Sequence, residues 1–214
     1  MDLQTVDKLL TSTRAVRKRL DLEKPVERDV IEECLRLAIQ APTGGNSQGW
    51  SFIVVTDAEK RAKLGELYKK SFYIYAKTAQ EQVPQRGSGT EHQNQMGRVV
   101  KSAVHLANVM HRVPVMVIPC INGRVETLDQ MTQAGFYGSI LPAAWSFMLA
   151  LRSRGLGSAW TTLHLRYADE IADLLGIPAH VTQTALLPVA YFTGTDFKPA
   201  KRLPLEEVTH WDAW

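Results

Sequence analysis

Apolar side chains recur at helical spacing in residues 26–40, where Val30, Ile31, Cys34, Leu35, Ala38 and Ile39 fall on one face between Pro25 and Pro42. The spacing predicts an amphipathic helix. A turn-rich stretch over residues 42–50, PTGGNSQGW, separates it from SFIVVT at 51–56, which is short, β-branched and apolar like an interior strand. Asp57 stands as the cap of a second helix with a buried face of Leu64, Leu67, Tyr68, Phe72 and Tyr75. Residues 80–97 turn polar, with Pro84, Gly87 and Gly89, and predict either a functional lid or a plain unstructured connection.

A helix over 98–110 should follow, then a central strand over 113–121 (VPVMVIPCI) in which Pro114 and Pro119 must sit near the ends or at an edge. Beyond it the pattern predicts a long apolar helix to about Arg154, a strand at 158–161, a helix at 168–175 and a strand at 183–189. Strands and helices do not alternate strictly as βαβ, so an α+β layered arrangement spanning 1–214 as one unit is expected. Residues 134–151 run for eighteen positions without a charge, at the lower edge of a bilayer span. Gly135, Gly138, Ser139, Pro142 and Ser146 dilute that run, which reads as a helix buried in a domain or at a subunit interface and not in a membrane.

Composition narrows the function classes. With 214 residues and 45% hydrophobic side chains the chain can bury a substantial core. The excess of 25 Lys and Arg over 22 Asp and Glu is too slight to signal a nucleic acid or a membrane surface, so any basic site must be local. Cys34 and Cys120 lie in apolar surroundings without CxxC spacing, which argues against a disulfide framework or zinc knuckle and fits a reducing cytoplasm. The first residues, MDLQT, lack the basic-then-apolar pattern of a secretory leader.

Several chemistries find no support. Gly155-Leu156-Gly157 resembles half of a dinucleotide fingerprint, but the third glycine position is Trp160 and the turn leads into a strand instead of a helix. No Walker A loop or GxSxG elbow occurs, and the six histidines show no metal-ligand spacing. His105, His111 and His164 read as ordinary surface or core residues.

Two basic clusters stand near the chain ends. Residues 11–19, TSTRAVRKR, pack hydroxyls and guanidiniums together, and Arg14 and Arg17 could grip a phosphate bidentately. Lys198, Lys201 and Arg202 form the second cluster. Each could equally be a solvated basic face. In the loop at 42–50, Gly44 and Gly45 allow backbone groups to approach a flat ligand, and Asn46 and Gln48 can donate and accept. A tight turn would also use Gly-Gly-Asn, although it would not require the Gln and Trp that follow.

Taken together, the blocks resemble the nitroreductase family of flavoenzymes. TRAVR at 13–17 is similar to that family's RRSxR block, PTGGNSQGW to its PSSxNxQPW loop, GLGSAW at 155–160 to its GLGSxW segment, and RLPLEEVTHW at 202–211 to its RPLxEVVHW tail. The resemblance covers nearly the whole chain, and the order and spacing of the blocks are more specific than any one of them. It implies a three-layer fold with a central, mostly antiparallel sheet flanked by helices. It also implies a homodimer with the long buried helix at its interface and two FMN sites there, each built from both chains.

Carried over by position, the resemblance implies that Arg14 meets the flavin phosphate, with Ala15 beside it where the family commonly has serine. Arg17 would lie near the pyrimidine edge of the ring, and Lys201 with Arg202 would close the phosphate site. Pro42, Thr43, Gly44 and Asn46 would come from the partner chain, and backbone at Thr161, Thr162 and Leu163 would face N5. The implied activity is transfer of hydride from NADH or NADPH to a small-molecule acceptor such as a nitroaromatic or quinone, in ping-pong order, with no side chain acting as acid or base. Ala15 removes one hydroxyl donor, worth on the order of 1 kcal/mol, and Gly49 replaces the usual proline before Trp50. The same fold also serves flavin storage or sensing, and specialised enzymes such as reductive dehalogenases that carry a lid, for which residues 80–97 are the candidate segment.

Overall fold

The computed structural model of the protein describes residues 2–78 and 90–214. Helix α1 (Leu3–Ser12) starts at Asp2, whose carboxylate accepts from the amides of Gln4 and Thr5. Helix α2 (Arg28–Ala38) lies between the two prolines noted above and buries Ile31, Cys34 and Ala38, while Ile39 is exposed. After a 3-10 turn at Gly44–Asn46 comes strand β1 (Trp50–Val55). Helix α3 (Ala58–Thr78) follows, with Asp57 Oδ1 accepting from Lys60 N at 2.9 Å. Its buried face is Leu64, Leu67, Tyr68 and Phe72. Tyr75, expected on that face, is 45% exposed, because cover on α3 ends at Phe72 and the helix continues beyond it.

Helix α4 (Thr90–Val109) begins earlier than expected, so residues 90–97 are helical and not loop. The remainder of the expected loop or lid, residues 80–89, lies outside the described residues. A 3-10 turn at Met110–Arg112 leads into strand β2 (Val115–Asn122). Helices α5 (Gln130–Gly138) and α6 (Leu141–Ser153) replace the single long helix that the uncharged run predicts. The break at Ser139–Ile140 has a physical reason. Pro142 in the first turn of α6 lacks the amide needed to continue α5, and Ser139 Oγ is drawn back to Gly135 O at 2.8 Å. Although Gln130–Ser153 is apolar enough by length and composition to cross a membrane, six side chains of α6 are buried in this fold.

Strand β3 (Leu156–Ser158) is followed by a 3-10 turn at Leu163–Tyr167 and helix α7 (Ala168–Leu175). The strand expected at 183–189 is two strands, β4 (Val181–Gln183) and β5 (Leu187–Tyr191). They form one sheet of order β1-β2-β5-β3, with β4 also on β2, and all these ladders are antiparallel. Pro119 lies inside the central strand β2, contrary to the end or edge position expected. Its carbonyl accepts from Thr184 N at 3.0 Å, and its missing donor therefore points at the junction where the neighbour of β2 changes from β5 to β4. That junction also splits the expected strand, since Thr184 turns to Pro119 while Leu186 N donates to Thr161 O at 2.8 Å.

Alternation along β2 builds two cores. Val115 and Val117 pack with α2 and α6, through Ile31, Cys34, Phe147 and Leu151. Met116, Ile118 and Cys120 pack on the other face with Leu64, Leu67 and Leu106. The sheet is thus sandwiched between helical layers, and its central strand is an unbroken apolar run because both of its faces are buried. Both cysteines are free and buried.

His164 is fully buried in the 3-10 turn before α7, and neither ring nitrogen has a hydrogen-bond partner among the described residues. Burial pushes its pKa down to about 3, so the folded ring stays neutral while an unfolded one protonates below about 6.5. The unfolded state then binds the extra proton between those values, and stability falls as pH drops through that window. Stability measured by urea unfolding should decline from pH 6.5 towards 5 with a slope approaching about 1.4 kcal/mol per pH unit. His164→Leu should flatten that slope, and an identical slope in the variant would exclude His164 as its source.

Candidate functional site

The basic block near the N-terminus is held by the edge of the sheet. Residue 15 forms a parallel bridge to Ser158 of β3, and Val16 N donates to Ser158 O at 2.8 Å while its side chain is buried. Val16 fits there because residue 157 is glycine. A Cβ on Gly157 would stand 2.8 Å from Val16 Cβ, closer than side chains tolerate. The GLGS segment and the TRAVR block, far apart in sequence, are therefore one packed unit.

This docking sets Arg14, Ala15 and Arg17 into the wall of a cavity of about 330 Å³. The opposite walls come from α4, through Gln95, Arg98, Val99 and Ser102, and from the C-terminal segment, through Pro199, Ala200 and Lys201. Four cationic side chains line the opening, and none of the described lining residues is a carboxylate. Arg14 Nη1 donates to Lys198 O at 2.9 Å, tying the two basic clusters together, and Arg17 Nη1 reaches Ser102 Oγ at 3.5 Å.

Arg17 is half-buried, and burial pulls its guanidinium down from the ordinary value, with nearby Tyr68 acting against the shift. The Tyr68 hydroxyl is pushed up to about 12 by burial, with Arg17 and a hydrogen bond to Thr161 opposing, so it remains a neutral donor at physiological pH. Thr161 is itself buried and committed to the sheet, bridged to Leu186 and donating from Oγ1 to Leu186 O at 2.6 Å. Thr162 is exposed and Leu163 packs against the core.

The loop at 42–50 contributes no wall to this cavity. Gly44 N donates to Ser139 Oγ at 2.9 Å, so the loop sits at the break between α5 and α6. Asn46 N donates to Thr43 O, and Gln48 Nε2 to Asn46 Oδ1 at 3.3 Å. The backbone is left-handed at Gly45, Asn46 and Gln48, with φ of 57°, 53° and 49°, a conformation that glycine and asparagine accept and glutamine resists. Pro42 and Asn46 are exposed, and Arg202, next to Lys201, is exposed and outside the cavity wall.

Of the residues singled out in the sequence, Arg14, Ala15, Arg17 and Lys201 are brought together. The contribution of α4 was not anticipated. Gln95, Arg98, Val99 and Ser102 follow the i, i+3, i+4, i+7 spacing of one helical face, a signal hidden by reading residues up to 97 as loop.

The fold is a three-layer α+β arrangement with a cationic cavity at the edge of its sheet, a charge pattern complementary to an anionic small molecule. The chain belongs to the nitroreductase family, whose model matches residues 10–191. It is similar to an NADH dehydrogenase of Thermus thermophilus, 27% identical over an alignment of 222 positions that covers 95% of this chain and 97% of that protein. Iodotyrosine deiodinase 1 of Rattus norvegicus is 25% identical over 220 residues, 97% of this chain and 70% of the deiodinase. Among solved structures, the FMN-dependent nitroreductase NfnB from Mycobacterium smegmatis, in complex with NADPH, has a TM-score of 0.71 at 21% identity, covering 99% of this chain and all of the other.

Gly157→Ala should push Val16 out of its seat and destabilise the fold by about 1–3 kcal/mol. In a protein of this size that is a fall in thermal midpoint of roughly 2–4 °C per kcal/mol, read by calorimetry. A midpoint equal to the wild type would show that the contact between the two segments is slack.

Proposed function

We propose that the protein is an FMN-dependent oxidoreductase that takes hydride from NADH or NADPH and passes it to a small electron acceptor such as a nitroaromatic or quinone. The observation that carries this reading is the cavity where Arg14, Arg17, Arg98 and Lys201 converge. A phosphate monoester, with close to two negative charges, answers such a cluster, and guanidinium forks match its oxygens. The donor set fits FMN. Arg14 and Lys201 would take the phosphate from the cavity wall and Arg202 from just outside it, with the Ala15 methyl standing where a further donor would help. Arg17, half-buried, takes the pyrimidine edge. The FMN and NADPH named for the mycobacterial structure support the same choice of cofactor and donor.

Bound FMN supplies the two-electron redox chemistry, and the protein supplies position and electrostatics. Arg17 places positive charge where negative charge grows on reduction, in surroundings dry enough to strengthen the interaction. Thr162, which is exposed, and Leu163 beside it, with Thr161 anchored in the sheet, would face the N5 side of the ring. Pro42, Thr43, Gly44 and Asn46 complete the site of a second copy in a homodimer. Two observations support that assembly: the loop is seated away from its own chain's cavity, and large apolar side chains including Met131, Trp145, Trp211 and Trp214 are exposed. Burial pushes the Cys34 and Cys120 thiols up to about 11 and about 12, and such buried free thiols suit a reducing cytoplasm.

The purified protein should show flavin absorption bands, and anaerobic NADH or NADPH should bleach them. A nitroaromatic or quinone should then restore the colour, with parallel-line initial-rate patterns. Yellow protein that neither nicotinamide bleaches would move the reading to storage or sensing, and protein without affinity for FMN would overturn it. Because deiodinases are among the relatives, iodotyrosine belongs in the acceptor panel, and turnover confined to it would assign aryl halides as the acceptor class.

Arg17→Gln should make the bound flavin harder to reduce, shifting its midpoint potential negative by about 30–60 mV, equivalent to 1.4–2.8 kcal/mol for a two-electron couple. An unchanged potential with flavin still bound would remove Arg17 from the ring.

A further inference from the structure

The segment that brings Lys201 to the cavity has no strand or helix between Tyr191 and Leu205, yet it is pinned at one point before it arrives. Arg152, near the end of α6, is buried to 12% side-chain exposure and hydrogen-bonds two separate parts of the chain. Its Nη2 donates to Ser12 Oγ at 3.2 Å, at the end of α1, and to the Asp196 carboxylate. Lys8 of α1 reaches the other oxygen of Asp196 at 2.9 Å, and Asp196 Oδ1 also accepts from Phe197 N at 2.9 Å.

A second pair of contacts closes the loop from 192 to 197 upon itself. The Phe192 and Phe197 rings lie 4.9 Å apart, with the Arg19 guanidinium 4.1 Å from the centre of Phe197 and that of Arg152 5.0 Å from the centre of Phe192. Arg19 also donates to Thr193 O at 2.6 Å and to Thr195 O. The residue after this knot is Lys198, whose carbonyl accepts from Arg14, and the next three line the cavity. Both chain ends therefore reach the cavity from one anchor.

We propose that Arg152 and Asp196, supported by Lys8 and by Arg19 on Phe197, are positioning residues for phosphate recognition: they fix the path of residues 198–201 so that Lys201 meets the anion beside Arg14. Arg152, Asp196 and Lys8 are not among the described residues lining the cavity and act through the segment they hold, while Arg19 and Phe197 line a neighbouring hollow together with Arg17. The inference rests on the reading of the cavity as an FMN phosphate site. It assigns the latch to the phosphate end, because the ring-side residues take their main supports elsewhere, Arg17 from the pairing of residues 15 and 16 with Ser158, Tyr68 from α3 and Thr161 from its bridge to Leu186. The Asp196 carboxyl is held down to about 2 by Lys8, the Phe197 amide and Arg152, so the ion pair persists at any pH at which the protein is assayed.

The test compares FMN with riboflavin, which carries the same ring without the phosphate. Asp196→Asn keeps an acceptor for Phe197 N and removes the charge that holds Arg152 and Lys8. It should weaken FMN binding about ten-fold while leaving the riboflavin Kd unchanged, with Lys8→Met giving a smaller loss in the same direction. Arg14→Ala, a direct phosphate ligand, is the reference for full loss of discrimination. Equal weakening of FMN and riboflavin in Asp196→Asn, or no change in either, would overturn the latch.

A second readout needs no flavin. Tryptic cleavage after Lys201 or Arg202 in the ligand-free protein should be faster in Asp196→Asn than in wild type, since the segment loses its anchor. Equal rates would overturn the latch by themselves. Wild-type protein that binds neither flavin, yet shows faster cleavage in the variant, would instead fail the FMN reading and leave the latch standing.

Discussion

The hydrogen bond from Val16 N to Ser158 O, with the Val16 side chain seated on Gly157, is the contact on which the rest of the candidate site depends. It turns a basic stretch that would otherwise be a solvated surface into an added strand-like segment along β3. An edge strand has unpaired backbone groups, and pairing one of them with residues 15 and 16 also covers part of that edge. Arg14 and Arg17 flank the paired residues, so their separation is set by backbone pairing and not by flexible side chains. Residue 157 must be small for this to happen, which gives the glycine a steric role in place of the phosphate-binding role that a dinucleotide fingerprint would assign it.

Electrostatics then works locally. The whole chain carries an excess of only three positive charges, yet four cationic side chains line one cavity. Like charges held this close repel, and the arrangement is tolerated because Arg14 donates to a carbonyl, Arg17 sits near the Tyr68 hydroxyl, and solvent screens the rest. Asp196 pairs with Lys8 and Arg152, which engages those two cations at the end of α1 and on α6.

Much of this was legible in the chain, because periodicity reports burial and burial built the layers. Ile31, Cys34 and Ala38 on α2 and Leu64, Leu67, Tyr68 and Phe72 on α3 sit where their spacing puts them. The misplacements have specific causes. Pro119 inside β2 is permitted by a change of neighbouring strand that only the assembled sheet reveals. The uncharged run at 134–151 signals burial without showing that Ser139 and Pro142 divide it. Tyr75 follows the helical period of α3 but extends past its cover, and the period carries no information on where a neighbour ends. In the site, Arg14, Ala15, Arg17 and Lys201 could be named from their chemistry. Arg98 and Ser102 could not, although they fall in the helix expected over 98–110, because nothing in the sequence shows that this helix faces residues 14–17.

Both ends of the chain converge on the unit formed by α6 and β3. Ser12 and Asp196 meet at Arg152 on α6, Val16 pairs with Ser158 on β3, and Phe192 N donates to Gly155 O at 3.3 Å in the turn between them. Gly155 adopts φ of 75° there, so the turn can be tight enough to hold a helix end and a strand start side by side. That unit is also among the best buried parts of the molecule, with Phe147, Leu151 and Leu156 in the core against α2. Segments with little regular structure of their own would ordinarily be the first to fray. Here each is tied to a rigid helix–strand corner before it contributes a cation, so the placement of both in the cavity derives from the packing of α6 and β3.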